Sequence, residues 1–247
     1  MLIDTHCHVD RFPDPMAVVA DCESQAVVTV AVTNIPSHYE IAVRHIGALR
    51  YVKLAMGFHP LAVADNLKEL PLFLSLLGGV QFVGEIGLDF SKEGQTSRNE
   101  QVQVFRTIAE ALSDKARFVT LHSRGAAGDV VDILREYGVK RCVFHWFSGT
   151  VSELKKVVAS GHYLSINTAM VESTKGRDVL ERVPRDRILT ESDGPYVKIG
   201  RRPAGPLDMK RVLLGIADAW GVSEDEAESQ VSINYKGLCE SIGITHG

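Results

Sequence analysis

Eight short apolar runs separated by helical patterns constrain this chain more than any other feature: residues 2–6, 26–33, 51–57, 80–86, 117–122, 141–146, 162–167 and 187–191, each bounded by turn residues. Helical patterns lie between them at 15–24, 37–49, 66–77, 98–113, 126–137, 150–160 and 175–183, and two more follow, at 206–219 and 223–241. In 98–113 the residues Val102, Phe105, Ile108, Ala109 and Leu112 recur at three- and four-residue spacing, which is one face of a helix. Alternating strand and helix calls for a parallel sheet, and the count of eight favours closure into a TIM-type (β/α)8 barrel over an open doubly wound sheet. The expected fold class is α/β, a TIM-type barrel whose functional site belongs at the C-terminal rim of the strands.

A length of 247 residues suits one such barrel, and no polar or Gly/Ser-rich linker divides it, so 1–247 reads as a single domain. The N-terminus enters a strand without the basic and apolar regions of a secretory signal. No apolar stretch approaches the roughly 18 residues of a membrane span. A cytoplasmic location without membrane contact is expected. Cys7, Cys22, Cys142 and Cys239 lack C-x-x-C spacing and are too few for a disulfide scaffold, so packed, reduced thiols are expected. A net charge of −4 argues against a protein that coats nucleic acid by bulk electrostatics. It leaves a nucleic-acid substrate open, because bound divalent cations can be the largest charges in a site.

The residues that carry chemistry fall at the ends of the runs. His6 and His8 close the first, two apart and therefore on one face of an extended strand, with Cys7 on the other. Glu85 ends the fourth run, His122 the fifth and His145 the sixth, and Asp193 lies just past the eighth. Imidazoles together with carboxylates suit Zn, Mn, Fe or Mg rather than a thiolate-bound structural metal. One partition gives a first ion His6, His8, Asp193 and Glu85, and a second His122, His145 and the other Glu85 oxygen. Two cations about 3.5 to 4 Å apart can clamp the attacking and leaving oxygens of an in-line displacement. Asp193 would orient a water and take its proton, and Glu85 would bridge. No G-x-S-x-G elbow, P-loop or G-x-G-x-x-G competes with this reading.

Other rim residues carry two readings each. His59, held extended by Pro60, either contacts a phosphate or leaving group or caps a turn. Arg124 either pairs with a phosphate or forms an ion pair with Asp89 or another carboxylate. Trp146 alternates away from His145, which favours core packing over base stacking. Lys198, Arg201 and Arg202 make a basic loop that is either a phosphate tether or simply solvated. Glu191, two residues before Asp193, reads as support for a ligand. His38, His45, His162 and His246 fall outside the rim pattern.

The blocks Asp4-Thr5-His6-Cys7-His8, Gly57-Phe58-His59-Pro60, Gly84-Glu85-Ile86-Gly87-Leu88-Asp89, His122-Ser123-Arg124, His145-Trp146-Phe147-Ser148-Gly149 and Glu191-Ser192-Asp193-Gly194-Pro195 resemble, in order, the TatD-type metal-dependent deoxyribonucleases of the amidohydrolase superfamily. That resemblance implies a TIM barrel, two divalent ions (Mg, Mn or Zn) and hydrolysis of DNA phosphodiesters, often exonucleolytic from a 3′ end. Its motifs place metal ligands at His6, His8, Glu85, His122, His145 and Asp193. Phe12-Pro13-Asp14-Pro15 and His122-Ser123-Arg124-Gly125-Ala126-Ala127, with the last two blocks above, are similar to the TatD-like component, QatD, of the bacterial Qat anti-phage defence system. This narrower likeness implies a defence role and other Qat-like components as partners. The chain departs from ordinary members at Trp146, where they carry Cys, at the loop 166–170 and at 200–206. A small-molecule amidohydrolase or esterase, and a weakly active interaction subunit of a defence complex, stay open beside the nuclease reading.

Overall fold

The computed structural model describes residues 1–46, 49–113 and 115–244; Gly47 and Ala48 at the end of the expected 37–49 helix, and His246, lie outside these. Eight parallel strands run in chain order: β1 Ile3–Cys7, β2 Val28–Val32, β3 Val52–Ala55, β4 Phe82–Gly87, β5 Phe118–His122, β6 Val143–Phe144, β7 Tyr163–Ile166 and β8 Ile188–Thr190. The helices are α1 Pro15–Ser24, α2 Pro36–Ile46, α3 Leu70–Leu76, α4 Arg98–Leu112, α5 Ala127–Glu136, α6 Val151–Ala159, α7 Thr168–Glu172, α8 Thr174–Arg182, α9 Met209–Trp220 and α10 Glu224–Ser241. A two-stranded antiparallel hairpin, β9 Lys198–Ile199 and β10 Arg202–Pro203, follows β8. No helix among the described residues is long and apolar enough to cross a membrane.

The strands pair in the order β1-β2-β3 and β4-β5-β6-β7-β8, and two junctions close the ring. At the first, Met56 N–H donates to Phe82 O at 3.0 Å and Met56 O accepts from Gly84 N–H at 2.9 Å. At the second, Asp193 N–H donates to His6 O at 2.9 Å, His8 N–H to Gly194 O at 2.8 Å, and Thr5 Oγ1 to Thr190 O at 2.9 Å. Where the elements differ from expectation, local chemistry gives the reason. The 66–77 pattern opens as a 3-10 turn over Ala64–Glu69, and α3 starts only at Leu70 because Pro71 fits a first helical turn. β6 is confined to Val143–Phe144, with Arg141 (φ 59°) and Trp146 (φ 36°) in the left-handed region near its two ends. The unexpected α7 is capped by Asn167, whose side chain accepts the Met170 N–H at 3.0 Å.

Two-residue periodicity sorts the strands into layers. Phe82, Phe118, Val143, Tyr163 and Leu189 join one apolar cluster, whereas Val83, Val119, Phe144, Leu164 and Ile188 join the cluster that holds α4, α5 and α6. Two residues further along, the first set becomes polar: Thr120, His145, Ser165 and Glu191, all buried. The next step in β5 and beyond β8 reaches His122 and Asp193. Across the apolar end lies α10, whose Val231, Tyr235, Leu238 and Cys239 join the cluster of Ile3, Val28, Phe82 and Phe118. The barrel is therefore closed by apolar packing at its N-terminal end and polar at the other.

His162 sits at the closed end, 1% exposed, with Nδ1 accepting the Cys142 N–H at 3.2 Å. Burial pushes its pKa from 6.5 down to about 4. The folded value lies below the unfolded one, so the unfolded chain binds the extra proton between these limits. The contribution is complete above pH 6.5 and is lost as pH falls to about 4. At roughly 1.4 kcal/mol per unit it amounts to about 3 kcal/mol. His162→Asn keeps an acceptor for Cys142 but does not titrate. Urea denaturation of both proteins across this range should show the wild type losing up to about 3 kcal/mol more on acidification; parallel curves would refute the assignment.

Candidate metal centre

Two irregularities in the barrel wall hold the central groups. The β1–β2 pairing shifts register between Asp4 and Cys7, and the β4–β5 pairing shifts between Val83 and Ile86. A bulge re-aims the side chains it carries, and these two intervals contain His6 and Glu85. Asp4 Oδ1 accepts the His6 N–H at 3.1 Å and the Ser192 N–H at 2.9 Å, which ties the turn before Asp193 to β1. Cys7 points the other way, into a buried cluster with Val19, Cys22 and Ala31, as the alternation expects. All four cysteines are free and buried.

The geometry brings His6, His8, Glu85, His122, His145 and Asp193 together beneath a cavity of about 740 Å³. On one side, His6 Nε2 lies 3.6 Å from Glu85 Oε2 and 3.9 Å from Asp193 Oδ1, and His8 Nε2 lies 3.2 Å and 3.6 Å from the same oxygens. On the other, Glu85 Oε1 lies 2.6 Å from His122 Nδ1 and 2.7 Å from His145 Nε2, which are 3.4 Å apart. Glu85 thus presents one oxygen to each group.

His6 Nε2, Glu85 Oε2 and Asp193 Oδ1 are buried and have no hydrogen-bond partner. Leaving such atoms unpaired costs about 1–3 kcal/mol each, and more when charged. Donor atoms about 2.1 Å from one ion at tetrahedral angles lie roughly 3.4 Å apart, so the spacing on the first side, 3.2 to 3.9 Å, fits a shared cation. On this side the second nitrogens of His6 and His8 are engaged, whereas His145 Nδ1 has no hydrogen-bond partner. His6 Nδ1 meets Thr120 Oγ1 at 2.8 Å, and His8 Nδ1 meets Asn34 Oδ1 at 3.1 Å, where it donates and leaves Nε2 its lone pair.

His59 is different. His59, Glu85 and His122 also come close enough for one ion, but His59 Nδ1 accepts the Leu61 N–H at 3.1 Å, so Nε2 carries the proton. That nitrogen faces Glu85 Oε2 at 3.5 Å and has no lone pair to offer a cation. His59 therefore caps a turn and also presents a donor to the cavity. Burial pushes it down to about 4, against the pull of Glu85, so it stays neutral at pH 7.

The charges are strongly coupled. Burial opposes ionisation of Glu85, but His59, His145, His122 and His6 hold it well below the usual carboxylate range. Burial and the neighbouring His145 push His6 down. For His122 and His145, burial is outweighed by the Glu85 carboxylate, and both are raised. Burial lifts Asp193 to about 7, a penalty that a cation at Oδ1 would relieve.

Support around the ring came only in part from the sequence. Glu191 Oε1 accepts from Trp146 N–H at 3.0 Å and Asn167 Nδ2 at 2.9 Å, Ser165 Oγ donates to its other oxygen, and His145 Nδ1 lies 3.8 Å away. Asp89 does not pair with Arg124: its Oδ2 accepts from His122 Nε2 at 2.8 Å, orienting Nδ1 toward Glu85. Burial works against the Asp89 charge, yet His122 and Ser91 bring it to about 2. Asp89→Asn should weaken metal affinity or activity about 10- to 100-fold. Metal titration checks this, and wild-type affinity in the variant would count against it. Thr120 was findable, standing two residues before His122 on the inward face of β5; Asn34 carries no signal in the sequence.

Of the paired readings, the structure shows the ion pair with another carboxylate at Arg124 and the exposed loop at Arg201 and Arg202, while the expectation for Trp146 changes. Arg124 Nη1 pairs with Glu93 at 3.0 Å on the cavity edge, an exposed and hence weak ion pair. Arg201 and Arg202 are exposed but do not line the cavity; Arg202 is tied to Asp208 at 2.6 and 2.8 Å, because the β9–β10 hairpin turns it that way. Trp146 is not packed in the core. With β6 ended at Phe144 and φ of 36° at Trp146, alternation fails, and the indole lines the cavity, 38% exposed.

A barrel with this polar rim defines a metal-dependent hydrolase. The chain belongs to the TatD family: the family described as TatD related DNase matches residues 3–240. It is 26% identical over 249 residues to an uncharacterized metal-dependent hydrolase of Methanocaldococcus jannaschii, covering 96% of this chain and 95% of that one. It is 29% identical over 213 residues to a Vairimorpha ceranae protein that bears the name of a deoxyribonuclease TATDN1 homologue, covering 83% and 76%. The crystal structure of YjjV, a TatD homologue from Escherichia coli, superposes with a TM-score of 0.77 at 23% identity over 96% of this chain and 97% of that one, and is similar in fold.

Proposed function

We propose that this chain hydrolyses DNA phosphodiesters, working at single-stranded 3′ ends with two divalent ions, Mg, Mn or Zn. The observation that carries the reading is Glu85, with one oxygen facing His6 and His8 and the other facing His122 and His145. His6, His8 and Asp193 with Glu85 would hold one ion, and His122 and His145 with Glu85 the other. Such ions polarise a phosphoryl oxygen and lower the pKa of water towards about 7. Asp193, whose side chain borders the cavity, orients the attacking water and accepts its proton. His59 Nε2–H donates to a phosphoryl or leaving oxygen, and Arg124 exchanges Glu93 for a phosphate. We assign no phosphate contact to Arg202, which Asp208 already holds.

Support for DNA comes from the family match and from the deoxyribonuclease name of the Vairimorpha relative. The setting we propose is cytoplasmic anti-phage defence beside other Qat-like components, on the strength of the blocks around Phe12–Pro15 and His122–Ala127. The test is hydrolysis of end-labelled single-stranded DNA with Mg, Mn or Zn. Cleavage should shorten the strand from its 3′ end, stop with chelator and return on adding metal. A protein that cleaves no DNA with any of the three ions would sink the DNA reading.

A further inference from the structure

Trp146 stands out among the cavity residues because its backbone is held in a conformation that bulky residues rarely adopt, with φ of 36°. What holds it is buried: Glu191, fully enclosed, accepts the Trp146 N–H at 3.0 Å while it also binds Ser165 and Asn167. Strain of this kind persists only when the surroundings over-determine it, and it gathers at functional positions. Its effect here is to take an indole that alternation would bury and place it, 38% exposed, on the wall of the cavity beside His145. The indole has no aromatic or cationic ring partner among the described residues. A second exposed aromatic, Tyr196, lines the same cavity, its ring meeting that of His8 edge-on at 4.9 Å.

We propose that Trp146 is a stacking platform for an unpaired nucleobase next to the scissile phosphodiester, so that the site selects single strands and frayed ends over blunt duplex. The inference rests on the DNA-hydrolase reading and deepens it. A base can lie on an indole face only when it is out of its own duplex stack, and every base has a face to offer, so the contact selects strandedness rather than sequence. The neighbouring His145, whose Nε2 lies 2.7 Å from Glu85 Oε1, puts the platform directly beside the charged centre that would hold the phosphate.

The chain has two tryptophans, and the other, Trp220, is 9% exposed with Arg185 over its ring at 5.2 Å. Trp220→Phe therefore leaves Trp146 as the sole tryptophan, to be excited selectively over the tyrosines, without touching the site. Full-length Trp220→Phe protein is titrated with an oligothymidylate and with a blunt hairpin duplex, in the presence of Mn and on a non-hydrolysable phosphorothioate backbone. Intrinsic fluorescence and the anisotropy of a dye on the DNA are read together. Single strands should quench Trp146 and blunt duplex should not. Trp146→Ala should weaken single-strand binding about 5- to 150-fold, and Trp146→Phe should restore most of it, with melting temperatures showing that both variants fold. Single-strand binding without quenching, and unchanged in Trp146→Ala, overturns the platform while leaving the nuclease reading intact. If wild-type protein neither binds nor cleaves DNA with any of the three ions, the reading and the platform fall together.

Discussion

Glu85→Ala is expected to abolish metal-dependent hydrolysis while leaving the barrel folded. Glu85 is 1% exposed and lies within 3.6 Å of imidazole nitrogens on His6, His8, His59, His122 and His145. Loss of an outer partner to a ligand costs about 10- to 100-fold; removing a carboxylate shared by both donor groups should exceed that, at about 10³-fold or more. Bound metal measured by mass spectrometry should fall together with the rate, and Glu85→Gln, which keeps the shape without the charge, should not restore either. A variant that retained a tenth of wild-type hydrolysis and its full metal content would refute a bridging role. The imidazoles would then have to hold both ions with Asp193 alone.

Gly57→Ala is expected to be the most damaging single methyl that the chain can receive near the site. A Cβ at Gly57 would lie 1.7 Å from Thr33 O and 2.5 Å from Glu85 N, both backbone atoms. Those two atoms bond to each other at 3.2 Å where the residue after β2 meets β4, and Gly57 N–H itself donates to Thr33 Oγ1 at 3.0 Å. Backbone at such a junction cannot turn aside as a flexible side chain can, so the clash must separate β2 from β4 or expel the β3 end. The cost should be about 3 kcal/mol or more, at the upper end for overpacking. Metal affinity should fall too, because the displaced nitrogen belongs to Glu85. The control is Gly237→Ala in α10, where a Cβ meets nothing within 4 Å and better helix propensity should add roughly 1 kcal/mol. Urea denaturation separates the two, and equal stabilities would show that the junction yields more readily than its geometry implies.

Both predictions act through one ring of residues, and they show where local sequence is informative. Glu85 was identifiable by type and position, a carboxylate at the end of an apolar run. That it would bridge was a guess from chemistry, and its two-sided placement depends on the register shift in β4. Gly57 stood in one of the motif blocks, but nothing in the sequence showed why it must be glycine, because the crowding comes from Thr33 and Glu85, distant in the chain.

The sequence by itself determined the strand and helix alternation, the inward face of each strand, and the polar groups at the strand ends. These follow from periodicities of two and 3.6 residues, which are local properties of the backbone. Only the tertiary structure decided which nitrogen of each imidazole faces the centre. That choice is made by partners from other strands: Thr120 for His6, Asn34 for His8, and Asp89 for His122. The tertiary structure likewise set His59 apart as a donor, through a single bond to Leu61. It also reversed the expectation for Trp146, because alternation holds only while a strand continues, and β6 stops at Phe144 where Glu191 from the next strand but one captures the backbone. Periodicity is written along the chain, whereas proton placement and side-chain aim at the rim depend on neighbours that meet only when the barrel closes.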